Sequence, residues 1–244
     1  MFIPGEMTDF QLFSLSHMVV LFLFFLLMLW MTLQKNAKLP NWIGVLLLLI
    51  LLTSEISYQV WAVTYGVWDA RFFLPLQLCS FSTFFGIFLY WKRNQNVFYF
   101  YYYIGLIPPI LALITPDLIY DYPHYRFLKF FLHHMAIPLM AVYLLKTKEY
   151  TLPFNSIWKG MLMLNIMIFP IYLLNKLLGS NYFFLNGPPE GETALSLFGS
   201  GLRYYINLEL AALVIFFTSF LLYKAAVYVS SARRPLNQMS KKAG

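Results

Sequence analysis

The chain has 244 residues, 60% of them apolar and 11% charged, far from the near-half apolar and quarter charged usage of water-soluble domains. That excludes a conventional soluble core. At about 20 residues per bilayer crossing the length holds seven spans with short connections and leaves no room for a separate soluble domain. The net charge of +7 has to be read as topology before it is read as a nucleic-acid patch, and no nucleic-acid partner is expected. The single cysteine rules out an intrachain disulfide and a multi-cysteine zinc site.

Seven apolar stretches follow one another at residues 10–33, 42–64, 73–91, 97–115, 127–145, 157–178 and 202–229. They predict an all-α, polytopic bundle of seven transmembrane helices, with residues 1–230 as one domain and 231–244 as a polar tail. The first stretch follows an acidic segment and is too long for a signal peptide, so it is expected to stay in the mature protein.

Lys35, Lys38, Lys92, Arg93, Lys146, Lys148, Lys159, Lys224, Arg233, Arg234, Lys241 and Lys242 all fall on one side of this arrangement. Arg71, Arg126, Lys129, Lys176 and Arg203 fall on the other, with Glu6, Asp9, Asp69, Asp117, Asp121, Glu190 and Glu192. The positive-inside rule then puts the amino terminus outside and the carboxyl tail in the cytoplasm, as for a multi-pass protein of the cell membrane. The aromatic block Phe98 to Tyr103 follows Lys92 and Arg93 and reads as an interfacial anchoring belt. Pro108 and Pro109 are expected to break or kink the fourth span. Asn186-Gly187-Pro188-Pro189-Glu190-Gly191 has turn chemistry and marks the longest outer loop.

Charged groups inside a span cost about 2.5 to 3.5 kcal/mol on the lenient insertion scale, so those that persist usually face the bundle interior. At a helical rise of about 1.5 Å, His17, Cys79, His134 and Glu209 come out roughly 9 to 11 Å below the outer ends of their spans, and Glu55 roughly 14 Å. One layer in the outer half of the bilayer is the candidate site. Cys79, Ser82, Thr83 and Gly86 share a face at i, i+3, i+4 and i+7, a small polar stripe suited to helix packing. Glu55, Tyr58, Gln59 and Ala62 repeat the pattern on the second span.

A cysteine nucleophile needs a base to form thiolate, and a carboxylate such as Glu209 or Glu55 can hold the imidazole in the useful tautomer. His133 and His134 point about 100° apart on a helix, so only one can face Cys79, and periodicity does not say which. Two histidines and two carboxylates would also serve as ligands for a divalent ion. The expected site nonetheless uses no metal and no cofactor.

Several segments resemble the YwaF-like integral membrane proteins of bacteria, relatives of the transmembrane-protein-164 acyltransferases of ether phospholipid metabolism. The carriers are Phe13-Ser14-Leu15-Ser16-His17, Leu74-Pro75-Leu76-Gln77-Leu78-Cys79-Ser80, Thr115-Pro116-Asp117-Leu118, Phe130-Phe131-Leu132-His133-His134 and Asn181-Tyr182-Phe183-Phe184-Leu185. The resemblance implies a Cys79 nucleophile with His134 as its partner, and a fold shared with fatty-acid ester hydrolases that use a threonine and a histidine. Met135 stands where that family usually has glycine, and Gln77 where it usually has histidine.

The expectation is therefore a membrane acyltransferase that forms a Cys79 thioester with His134 as general base, supported by His17, Glu55, Gln77 and Glu209. Membrane lipids would be its substrates, and water as acceptor would make it a lipase. The competing expectation is a transporter or ion-binding bundle that uses its intramembrane His and Glu residues. A seven-span receptor matches the count and orientation only by analogy.

Overall fold

The computed structural model describes residues 2–4, 9–34, 39–189 and 193–240, with the backbone alone for Ala194 and for residues 229–240. Glu6, Lys35, Lys38, Glu190, Glu192, Lys241 and Lys242 lie outside the described residues, as do the side chains of Arg233 and Arg234. Helices run α1 (Leu15–Leu33), α2 (Asn41–Thr64), α3 (Ala70–Phe73), α4 (Leu78–Trp91), α5 (Gln95–Ile114), α6 (Tyr125–Thr147), α7 (Ser156–Leu178) and α8 (Gly201–Ser240). Two 3₁₀ turns, Tyr182–Phe184 and Ala194–Phe198, lie between α7 and α8.

Six of these helices are long and apolar enough to cross a membrane, and α4, with 14 residues, is a seventh and shorter apolar helix. The bundle is all-α with seven main helices, as the sequence predicts. At about 1.5 Å per residue α4 covers only about 21 Å of a hydrocarbon core near 30 Å. The third span was expected to be helical from residue 73. Instead it breaks, because Pro75 lacks a donor and steers Leu74 away from the helical region, where Leu74 has φ −59 and ψ 142.

Helix ends carry their own stop signals. Ser14 accepts from His17 N at 3.4 Å, Asn94 Oδ1 from Val97 N at 3.1 Å and His124 Nδ1 from Arg126 N at 3.1 Å. Each satisfies one of the donors a helix leaves open at its start. Asp69 caps α3 in the same way, and its hydrogen bonds from Arg71 hold the Asp69 carboxyl below the usual carboxylate range. Gly179, at φ +65, ends α7 in the left-handed conformation that other residues enter only under strain.

Basic connections do meet on one face of the bundle. Lys146 Nζ donates to Thr32 O at 2.8 Å and Gln34 O at 3.0 Å, and Arg93 donates to Glu149 O at 3.0 Å. On the opposite, amino-terminal side Ser16 donates to Asp121 at 2.6 Å and Trp61 Nε1 to Phe2 O at 2.7 Å.

Two local expectations are corrected. Phe98 to Tyr103 are all buried, so they form no interfacial belt. Their helix, α5, packs against α4, α6, α7 and α8, and a helix surrounded by others buries every face. Tyr101 and Tyr102 satisfy their hydroxyls on Ile137 O at 3.1 Å and Ser219 O at 3.2 Å. The second correction concerns the break, one of the two outcomes expected at Pro108 and Pro109, since α5 runs on as helix through both. Neighbouring helices can compensate the backbone groups that prolines free within a membrane. At the far end, α8 continues as helix to Ser240, into the segment read as a polar tail.

Candidate active site

The interruption before α4 builds the site. Non-helical backbone at membrane depth persists only when protein groups satisfy it, and here the partners can be named. Tyr182 Oη donates to Ala70 O at 2.6 Å and accepts from Leu74 N at 3.0 Å. Gln59 Nε2 donates to Phe73 O at 2.6 Å. Because Gln59 lies five residues before the end of α2, the interruption sits about 7 to 8 Å inside that end.

Tyr182 is itself locked. Asn175 Oδ1 accepts from Tyr182 N at 2.9 Å and Asn175 Nδ2 donates to Tyr182 O at 2.8 Å, all buried. Phe183 and Phe184 follow with φ of +59 and +56, a conformation costing of order 1 kcal/mol or more each outside glycine. Phe183 N donates to Gln77 Oε1 at 3.3 Å, and Tyr204 Oη of α8 donates to Phe184 O at 2.7 Å. Gln77 is therefore the link between this strained turn and the residue pair that opens α4.

Cys79 is the second residue of α4 and is partly buried against the core. The first N–H groups of a helix have no intrahelical partner, and their aligned dipoles favour negative charge. The N–H groups of Cys79 and Ser80 are among these first groups of α4. Lys129 and Glu55 lie within electrostatic range of it.

One helical turn along α4, Thr83 Oγ1 lies 2.7 Å from His133 Nε2, and that nitrogen lies 3.4 Å from Glu55 Oε1. Glu55 Oε1 and His133 Nδ1 are buried without a hydrogen-bond partner. His134 turns away from this pair: its Nδ1 meets Phe130 O at 2.8 Å and its ring stacks on Phe130 with centroids 4.1 Å apart. Since a carbonyl only accepts, Nδ1 carries the proton and Nε2 keeps the lone pair. Among the described residues no hydrogen bond joins the Cys79 sulfur to either imidazole.

The structure thus brings Cys79, Glu55, Gln77 and His133 around the first turns of α4, with His134 next to His133 on α6, whereas two other sequence candidates lie elsewhere. His17 Nδ1 accepts from Phe13 N at 3.0 Å and Nε2 donates to Leu113 O at 2.8 Å. Both nitrogens are spent on closing the ends of α1 and α5. Glu209 accepts from Asn165 Nδ2 at 2.9 Å on an exposed face between α7 and α8. Similar depth brought these residues into one layer, but not to one point.

Arg126 and Lys129, read from the sequence only as outer-side charges, Tyr58, read only as part of a polar stripe, and Asn175 were not picked out as site residues. Tyr58 lies 4.4 Å beneath both Arg126 Cζ and Lys129 Nζ, measured to its ring centre, and Arg126 Nε is buried without a hydrogen-bond partner. Arg126, Lys129 and His133 stand at i, i+3 and i+7 on α6, a single face that periodicity could have revealed. Asn175 gave no such signal. Among the described residues no group of three His, Cys, Asp or Glu side chains is gathered as metal ligands would be.

An all-α membrane bundle with a broken helix and a cysteine at a helix start defines the class: a multi-pass membrane protein with a buried polar cluster. The TMEM164 family model matches residues 8–223, and the chain belongs to that family. No curated protein and no solved structure gives a match.

Proposed function

We propose that the protein is a lipid acyltransferase of the cell membrane in which Cys79 attacks a fatty-acyl ester of a membrane lipid. The observation that carries this reading is the position of Cys79 in the first turn of α4, where the backbone N–H groups have no intrahelical partner. Helix-start donors stabilise thiolate, and after attack the same kind of donor can hold a tetrahedral oxyanion. Gln77 is a further candidate donor, its Oε1 being committed to Phe183 N.

In this reading His134 Nε2 takes the thiol proton, in the tautomer that the Phe130 carbonyl supports. The thiolate forms a C–S bond, and the lipid alkoxide leaves with the proton from His134. A lysophospholipid hydroxyl, or water in a hydrolase, then gives its proton to His134 and attacks the thioester; the new C–O bond forms as the C–S bond breaks, and the proton returns to the Cys79 thiolate. Catalytic hydrogen bonds often close only around bound substrate, so the thiol and Nε2 are expected to meet when a lipid ester binds.

Purified protein in lipid nanodiscs, incubated with isotope-labelled phospholipid, should show a hydroxylamine-labile acyl adduct by intact mass. Cys79→Ala should abolish it, and His134→Ala should slow it by about 10² to 10⁴. No adduct and no acyl exchange across a broad lipid panel would reject the reading. The buried Glu55 and His133 atoms without partners favour a second reading, an ion- or proton-binding bundle. That alternative requires Glu55 and tolerates loss of Cys79.

A further inference from the structure

Two cations on α6 stand over one ring with no anion to match. Arg126 Cζ and Lys129 Nζ are each 4.4 Å from the centre of the Tyr58 ring. Among the described residues no carboxylate oxygen comes within 4.0 Å of either, although Glu55 acts on Lys129 from further away. Cation–π contact offsets only part of the cost of taking a charge from water.

Arg126 also lines a cavity of about 340 Å³ on the amino-terminal side, with Trp61, Phe73, Leu118 and Tyr120. Asp117 lies in the same wall and already has an interaction of its own. Phe73 in turn packs on Tyr58 with ring centres 4.9 Å apart. Tyr58 thus joins the cavity wall to the two cations, and Lys129 in turn acts electrostatically on Cys79.

We propose that Arg126 and Lys129 are positioning residues that bind the headgroup phosphate of a glycerophospholipid. This rests on the acyl-transfer reading for its purpose, since the phosphate of such a lipid is only a few bonds from its ester carbonyls. Guanidinium and ammonium groups are the side chains that recognise phosphate oxygens. Aromatic walls suit the glycerol and upper acyl segments, and Lys129, which acts electrostatically on Cys79, draws the ester toward the start of α4. A neutral acylglycerol lacks the group that this pair would grip.

The test measures binding without chemistry. A dialkyl-ether glycerophospholipid, whose chains cannot be transferred, is compared with the dialkylglycerol lacking phosphate, by quenching of tryptophan fluorescence in nanodiscs. The wild-type protein should bind the phosphate-bearing lipid at least about tenfold more tightly. Arg126→Gln and Lys129→Met should each remove most of that preference. Arg126→Lys and Lys129→Arg should retain part of it, which separates lost charge from lost fold.

A preference that is absent in the wild-type protein, or that survives both neutralising variants, overturns the proposal. Inorganic phosphate should give no Arg126-dependent thermal stabilisation on its own; if it does while the lipid preference is missing, the cavity serves a soluble anion and the proposal is again overturned. Because neither lipid can donate an acyl group, an intact preference alongside a missing Cys79 adduct supports the phosphate site and rejects only the reaction.

Discussion

His133 Nε2 lies between a hydroxyl and a carboxylate, 2.7 Å from Thr83 Oγ1 and 3.4 Å from Glu55 Oε1. Facing a carboxylate oxygen, that nitrogen is the protonated one, so it donates to Thr83, whose own hydroxyl donates to Cys79 O at 3.2 Å. These hydrogen bonds and the His133–Glu55 ion-pair contact tie α2, α4 and α6 together beside Cys79. His133 thereby holds the start of α4, while His134 keeps a free lone pair.

The two histidines should separate by experiment. Thr83→Val and His133→Phe should each cost about 1 to 3 kcal/mol of stability, read by thermal unfolding in detergent. Acyl-adduct formation per folded molecule should remain. His134→Ala should leave stability nearly unchanged and slow the adduct. The reverse pattern would move the general base one residue back along α6.

Tyr182→Phe removes the hydroxyl that serves both Ala70 O and Leu74 N. Two backbone groups at membrane depth then lose their partner, a loss of about 1 to 3 kcal/mol. Hydrogen exchange of residues 70–77 should rise, and Cys79 acylation should fall even though no catalytic atom is touched. Unchanged exchange there would show that the interruption is held by other means.

A methyl group at Gly160 of α7 would meet Tyr103 Cδ2 at 2.8 Å and Phe216 Cε2 at 3.0 Å. Tyr103 cannot easily yield, because its hydroxyl bonds Ser156 Oγ at 2.6 Å and its ring stacks on Phe216. Gly160→Ala should therefore destabilise the α5, α7 and α8 contact by about 1 to 3 kcal/mol. Thermal unfolding would measure this, and an unchanged midpoint would contradict the close approach.

Glu209 bonds Asn165 away from the cluster. In the acyl-transfer reading Glu209→Gln should keep adduct formation within about twofold of wild type. A flux assay in proteoliposomes gives the contrast: if ion or proton movement depends on Glu55 and Glu209 while Cys79→Ala is silent, the ion-binding reading holds instead.

The sequence by itself determined the membrane class, the count of spans and the grouping of basic connections, because hydropathy and charge act over whole segments. It also marked Cys79, Glu55 and the histidine pair, since a polar group costs enough in hydrocarbon to stand out. Depth could be counted from helical rise, yet His17, Glu209 and Cys79 lie at like depth and at different places around the bundle. Lateral position depends on which helices touch, and only tertiary packing decides that. The same packing placed the aromatic run of α5 inside and broke the third span at Leu74, where Tyr182, from more than a hundred residues away, satisfies the freed backbone.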